Sequence, residues 1–131
     1  RQTATSATDP TISAGAVQLG THINAGGNFL PTGREIPGEV VAASTRYVDD
    51  INNDMEEAGE FILAASEGRI PPGAGGITGD LQGLGLGKVT PRTNEEEITL
   101  FKTVGTALSD VAGLSAAAVA AEAEDLGVML T

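Results

Sequence analysis

The stretch Glu97-Ile98-Thr99-Leu100-Phe101-Lys102-Thr103-Val104-Gly105-Thr106-Ala107-Leu108-Ser109-Asp110 decides the fold. Ile98, Leu100 and Phe101 make a bulky apolar run, whereas Val104, Leu108, Val111, Leu114 and Ala118 recur at spacings of three and four. The period switches at Thr103-Val104-Gly105, which predicts a buried strand over about 97–103 feeding a long helix over about 105–125. In an open α/β sheet, such a switch at the carboxyl end of a strand lets backbone amides and a short hydroxyl meet a ligand.

Upstream of this switch the chain alternates. Residues 1–6 read as the tail of a strand, closed by Asp9-Pro10, and residues 17–25 read as a second strand ending at Gly26-Gly27. A short helix is expected over 36–44 and a short strand at Tyr47-Val48. Ile51 to Ser66 reads as one amphipathic helix, with Met55, Ala58, Ile62 and Ala65 on its apolar face and Asp54, Glu56, Glu57 and Glu60 elsewhere, ended by Gly68. Residues 70–94, rich in proline and glycine, are expected to be loop with at most a turn of helix near Asp80 to Leu84. Alternating strands and helices predict an α/β domain spanning residues 1–131, a partial Rossmann-like parallel sheet of three or four strands followed by a long C-terminal helix. The glycine fingerprint that holds a dinucleotide pyrophosphate is missing, and Gly73-Ala74-Gly75-Gly76-Ile77-Thr78-Gly79 follows two prolines rather than a strand.

The run from Glu97 to Asp110 also resembles the C-terminal signature of the ornithine cyclodeaminase and mu-crystallin family, with Thr103 in place of a serine. In the same order, Gly20-Thr21-His22-Ile23-Asn24-Ala25-Gly26-Gly27-Asn28, Pro31 and Arg34-Glu35-Ile36 resemble the family's G-T-H-I-N-A segment and its tail. Weaker likenesses at Thr3-Ala4-Thr5-Ser6, Tyr47-Val48-Asp49, Glu57-Ala58-Gly59-Glu60, Gly79-Asp80-Leu81 and Pro91-Arg92 extend the resemblance over nearly the whole chain. It implies the second half of an NAD(P)-binding domain from an oxidoreductase of amino or imino acids, of the ketimine reductase or alanine dehydrogenase type. The substrate-binding basic residues and the pyrophosphate site would lie outside this sequence, and the intact protein would be a homodimer. Ornithine cyclodeaminase proper is one alternative; an inactive fragment with a structural or subunit-interaction role is another.

Residue by residue, the resemblance implies cofactor contacts, to NAD or NADP, from Thr5, from the turn Gly26, Gly27 and Asn28, and from Thr103, with the Val104 backbone touching substrate. Phe29 stands where cyclodeaminases carry an acid/base aspartate, and a phenyl ring cannot transfer a proton; this departure points toward the reductase branch. Gly33 likewise stands in place of a cofactor-contacting lysine. No residue is assigned a catalytic or metal-binding role. Lys102, pointing opposite to Thr103 on a strand, is expected to be solvated or salt-bridged, and Arg34-Glu35 to form a structural pair. His22, the sole imidazole, reads as a strand residue placing its neighbours.

Composition agrees with this class. The chain has 131 residues, 40% hydrophobic, and no apolar run of about 18 residues that could span a membrane. Without cysteine, disulfides, thiolate chemistry and cysteine-bound zinc are excluded, leaving His22 and carboxylates as possible metal ligands, and these show no clustered spacing. A net charge of −11 with seven scattered basic residues disfavours nucleic acid and anionic membranes as partners. The start Arg1-Gln2-Thr3 has neither an initiator methionine nor a leader pattern, so a cytoplasmic protein incomplete at its N-terminus is expected. Two lysines against 18 acidic residues suit either a protein kept soluble at high salt or an ordinary acidic enzyme. A halophilic origin is expected to show as folding that improves from low to molar KCl in a circular-dichroism titration; indifference to salt would favour the ordinary enzyme.

Overall fold

Five strands run parallel in the computed structural model, which describes residues 1–128. They are β1 (Gln2–Thr3), β2 (His22–Ala25), β3 (Thr45–Val48), β4 (Gly79–Asp80) and β5 (Thr99–Lys102), in the order β1-β2-β5-β3-β4. The strand read from the opening stretch is therefore central. It pairs with β2 from His22↔Thr99 to Ala25↔Lys102 and with β3 from Thr45↔Thr99 to Val48↔Lys102. Expectation and structure differ in strand number, since β4 lies in the stretch read as loop. Two residues are too few to show alternation in a sequence, and Gly79 is admitted there because Val89 packs where its side chain would be.

Period-two alternation sends Ile23, Ala25, Leu100, Lys102 and Val48 to one face of the sheet. Helices α1 (Gly38–Ala43) and α3 (Gly59–Ser66) pack on each other, and their Val40, Val41, Phe61 and Ala64 complete the core with Ile36, Ala58 and Ile70. Each large aliphatic or aromatic side chain buried here contributes roughly 1.5–3 kcal/mol. On the opposite face His22, Asn24, Tyr47 and Phe101, with Leu81 and Leu84 of α4 (Leu81–Gly85), line an open hollow.

The single helix expected over Ile51 to Ser66 is two: α2 (Ile51–Glu57) and α3, broken at Ala58. Asp50 caps α2 by accepting from the Asn52 and Asn53 amides at 2.9 and 3.2 Å. The break has a packing cause. A Cβ at Gly59 would stand 1.9 Å from the Gly33 carbonyl oxygen, so the loop at residues 30–33 runs directly against the start of α3. The break also changes the buried face: Met55 is exposed, whereas Asp54 and Glu60, expected outside, are completely buried.

Buried charge is stabilised by closure of a ring. Lys102, expected to be solvated or salt-bridged, is completely buried; it donates to the Asn28 carbonyl and pairs with Glu60 Oε2 at 3.3 Å. Glu60 Oε1 accepts the Glu35 amide at 2.9 Å, and Glu35 Oε2 accepts the Asn28 amide at 3.3 Å.

The final helix α5 (Ala107–Ala123) is capped by Thr106, whose hydroxyl accepts the Ser109 amide at 3.2 Å. It buries no residue, and Leu108, Val111, Leu114 and Val119 are exposed.

Replacing Lys102 by methionine removes the partner of the Glu60 carboxyl group and of the Asn28 carbonyl inside the protein. Urea denaturation is expected to show a loss of about 3–5 kcal/mol. Adding Glu60→Gln is expected to recover part of it.

Candidate active site at the carboxyl edge of the sheet

All five strands are parallel, so their carboxyl ends share one edge of the sheet. Thr5 follows β1, Gly26 and Gly27 follow β2, Asp49 follows β3, and Thr103, Val104 and Gly105 follow β5. The structure thus brings together the residues singled out by sequence at the ends of β1, β2 and β5. Gly26 lies beside Thr103: a Cβ there would meet Thr103 Cγ2 at 3.4 Å. Thr5, Gly26 and Gly105 are exposed and Thr103 and Val104 half-buried, which makes the edge an accessible ledge.

Glu35 shapes one end of this ledge. Its carboxylate accepts from the Thr5 amide at 2.7 Å, the Thr5 hydroxyl at 2.8 Å, the Gly27 amide at 2.9 Å and the Asn28 amide at 3.3 Å. Burial pushes its pKa up, but these donors outweigh burial and hold it below the ordinary glutamate value. Glu35 therefore does not pair with Arg34, contrary to expectation; Arg34 reaches Glu67 at 2.7 Å.

Gly27 has a structural reason to be glycine. A Cβ there would fall 2.1 and 2.2 Å from the amide nitrogen and carbonyl oxygen of Thr5. The requirement comes from the chain's own backbone, so a bulky substitution at Gly27 would report on folding before it reported on a ligand. Asn28 is buried, with its side chain committed to the Ala7 carbonyl and the Leu30 amide. Phe29 is 59% exposed and lines a shallow hollow with Ser6, Gly27, Asn28 and Leu30.

At the other end Asp49 Oδ2 accepts the Thr103 hydroxyl and, at 3.1 Å, the Gly105 amide. The Gly105 amide also lies 3.0 Å from Thr103 Oγ1. Gly105 takes a φ of 88°, a left-handed conformation that favours glycine and turns the strand toward the helix. Behind Asp49 sits Asp54, completely buried, neither of whose carboxyl oxygens has a conventional donor. Burial, reinforced by Asp49, pushes the Asp54 pKa up to about 9, while the hydrogen bonds from Asp54, Thr103 and Gly105 overcome burial and lower that of Asp49.

Sequence reading missed Glu35, Asp49 and Asp54 as organisers of the edge. Asp49 follows a short strand and Asp54 sits four residues after the Asp50 helix cap, a pattern common on solvated surfaces. His22 belongs at the opposite, amino end of β2, with Nδ1 2.7 Å from Thr99 Oγ1 and Nε2 3.0 Å from Asn24 Oδ1.

Residues 2–124 match the ornithine cyclodeaminase/mu-crystallin family. The chain belongs to that family. A family relative, Δ1-pyrroline-2-carboxylate reductase of Colwellia psychrerythraea, is 33% identical over 108 residues, covering 82% of this chain and 34% of the relative. The structure of Thermococcus litoralis Δ1-pyrroline-2-carboxylate reductase in complex with NADH and L-proline superposes with a TM-score of 0.83 at 33% identity, covering 98% of this chain and 39% of that one. An archaeal alanine dehydrogenase dimer with bound NAD gives 0.79 at 30% identity, covering 99% and 40%. The chain thus spans about a third of the length of the first of these relatives, and its fold is that of the family's Rossmann-like sheet. No helix among the described residues is long and apolar enough to cross a membrane.

The raised Asp54 pKa has a signed consequence. Between about pH 4 and 9 the folded state holds a proton that the unfolded state has released, so this group's contribution to stability falls as pH rises through that window. Glu35 and Asp49, with lowered pKa values, act oppositely and lose their contribution on acidification. Asp54→Asn is expected to gain stability relative to the parent as pH rises through that window, read from urea midpoints.

Proposed function

We propose that this chain is the C-terminal portion of an NAD(P)-dependent oxidoreductase that interconverts an amino acid and its imino acid. The observation that carries the reading is the ledge itself: exposed Thr5 and Gly26 and half-buried Thr103, at adjacent parallel-strand ends, in a chain superposing on a reductase described with NADH and L-proline. Each threonine hydroxyl is pinned by a carboxylate, Thr5 by Glu35 and Thr103 by Asp49, and so presents a fixed oxygen at the edge. These groups fit the ribose and carboxamide of a nicotinamide nucleotide; the cofactor when bound supplies the hydride.

Thr5, Gly26 and Gly27 would border the nicotinamide half, Asn28 would build the turn beneath it, and Thr103 with the Val104 backbone would meet the cofactor and substrate from the other side. Phe29 contributes an apolar surface and no proton, which favours imine reduction or amino-acid oxidation over cyclodeamination. A homodimer is part of the proposal, by analogy with the archaeal alanine dehydrogenase dimer, as is a cytoplasmic setting.

One observation favours a second reading. The exposed Leu108, Val111, Leu114 and Val119 on α5 suit a chain whose role is association with another polypeptide segment. Fluorescence titration with NADH and NADPH separates the two, using the 131-residue chain and a form carrying its upstream coding sequence. Binding by the longer form, with oxidation of NAD(P)H on addition of a cyclic imino acid, is expected. Absence of binding by either would favour the association role.

A further inference from the structure

Hydrogen positions at the β1 end of the ledge follow from the donors gathered around Glu35. Its Oε1 accepts the Thr5 amide at 2.7 Å and the Thr5 hydroxyl at 2.8 Å, and its Oε2 accepts the Gly27 amide at 2.9 Å and the Asn28 amide at 3.3 Å. Together they occupy every lone-pair site of an ionised carboxylate. Three of the four donors are backbone amides, which only donate, and each oxygen holds at least one, so a carboxyl proton on either oxygen would face an N–H. Glu35 is completely buried, and no water makes up the difference. It is therefore ionised, and the Thr5 hydrogen points at it. The Ala7 amide, 3.2 Å from Thr5 Oγ1, faces one lone pair of that oxygen. The other lone pair is what Thr5 retains for a ligand.

We infer that Glu35 is a positioning residue: by taking the Thr5 hydrogen and the amides of the turn after β2, it makes this end of the ledge a site for an uncharged hydrogen-bond donor and closes it to phosphate. The inference rests on the nucleotide-binding reading and adds which part of the nucleotide lies here and the polarity of its contact. In the nicotinamide half of such a molecule the uncharged donors are the ribose hydroxyls and the carboxamide N–H.

Glycine-rich turns at strand ends hold phosphate through backbone N–H groups that the fold leaves free. Gly26-Gly27-Asn28 has that composition without that property. The Gly26 amide is given to the Thr3 carbonyl at 3.0 Å, and those of Gly27 and Asn28 are given to Glu35. A fixed negative charge thus occupies the concavity that an anion would need, and a second anion would meet its repulsion. The nearby bases do not offset it. Arg34 is engaged by Glu67 at 2.7 Å, and Lys102 is completely buried, its charge matched by Glu60. On the exposed side, Ser6, Phe29 and Leu30 complete a shallow hollow that carries no charged group.

The chain and its binding are tested separately. Proton NMR of the 131-residue chain is expected to show a slowly exchanging Thr5 hydroxyl proton, and millimolar inorganic phosphate is expected to leave the Gly27 and Asn28 amide signals in place. For the form with its upstream sequence, NADH affinity is compared with that of two analogues, one carrying an acetyl group instead of the carboxamide and one lacking the hydroxyls of the nicotinamide ribose. Deletion of one of these donors is expected to weaken binding about 10-fold in the parent and in Thr5→Ser, and to make no difference in Thr5→Val. Glu35→Gln, which frees the Thr5 hydrogen to turn outward, is expected to lose the same discrimination; Thr5→Val carries the test where that buried substitution prevents folding. A Thr5 hydroxyl in free exchange with water, saturable phosphate-dependent shifts of the Gly27 or Asn28 amides, or equal donor discrimination in the parent and Thr5→Val would overturn the inference. Failure of NADH to bind the longer form, with the Thr5 proton held and phosphate excluded, would instead refute the nucleotide reading and leave the polarity of the site standing.

Discussion

A closed ring of four residues inside the protein ties its layers together. Glu35 binds the Asn28 amide, the Asn28 carbonyl binds Lys102, Lys102 pairs with Glu60, and Glu60 returns to the Glu35 amide. The ring joins the turn after β2, the central strand β5, helix α3 and the segment leading to α1. Charged groups this deep are tolerated because each finds a partner, and removal of one leaves the others without compensation. The glycines beside the ring follow from its tightness: Gly27 and Gly59 both stand where backbone passes within about 2 Å of a would-be Cβ.

The same constraint makes a site possible. A parallel sheet presents its strand ends together, but an edge of loops would be mobile without internal anchors. Glu35 anchors the ends of β1 and β2 through four hydrogen bonds, and Asp49 anchors the end of β5 through Thr103 and Gly105. Each carboxylate is thus used as a fixed acceptor that orders its loops, and the exposed surface above them is left with hydroxyl oxygens and backbone. This division suits a protein in which a bound nucleotide performs the redox chemistry and the polypeptide orients it.

The opening stretch of sequence foretold the central strand and long helix because the change from a bulky run to a three-four period is local and depends on few residues. Gly26, Gly27 and Thr103 were found for the same reason, as punctuation at strand ends. Three side chains whose burial the sequence did not show, Lys102, Glu60 and Asp54, share another cause. In sequence, a charged residue on a strand or helix reads as solvent-facing, and only partners distant in the chain reverse that expectation: Lys102 meets Asn28 across 74 positions and Glu60 meets Glu35 across 25. The break between α2 and α3 was equally hidden, since it arises from the loop at residues 30–33 pressing on Gly59.

By itself the sequence determined the alternation of strands and helices, the family and the location of the candidate ledge, since these depend on periodicity and on motifs read over a few neighbouring positions. Tertiary structure alone decided the strand order with β5 at its centre, the burial of the Lys102–Glu60 pair and the joining of Asp49 to Thr103 and Gly105 by hydrogen bonds. The physical reason is that a charge or hydroxyl acquires its role from what surrounds it, and here those surroundings come from parts of the chain that meet only when the sheet closes.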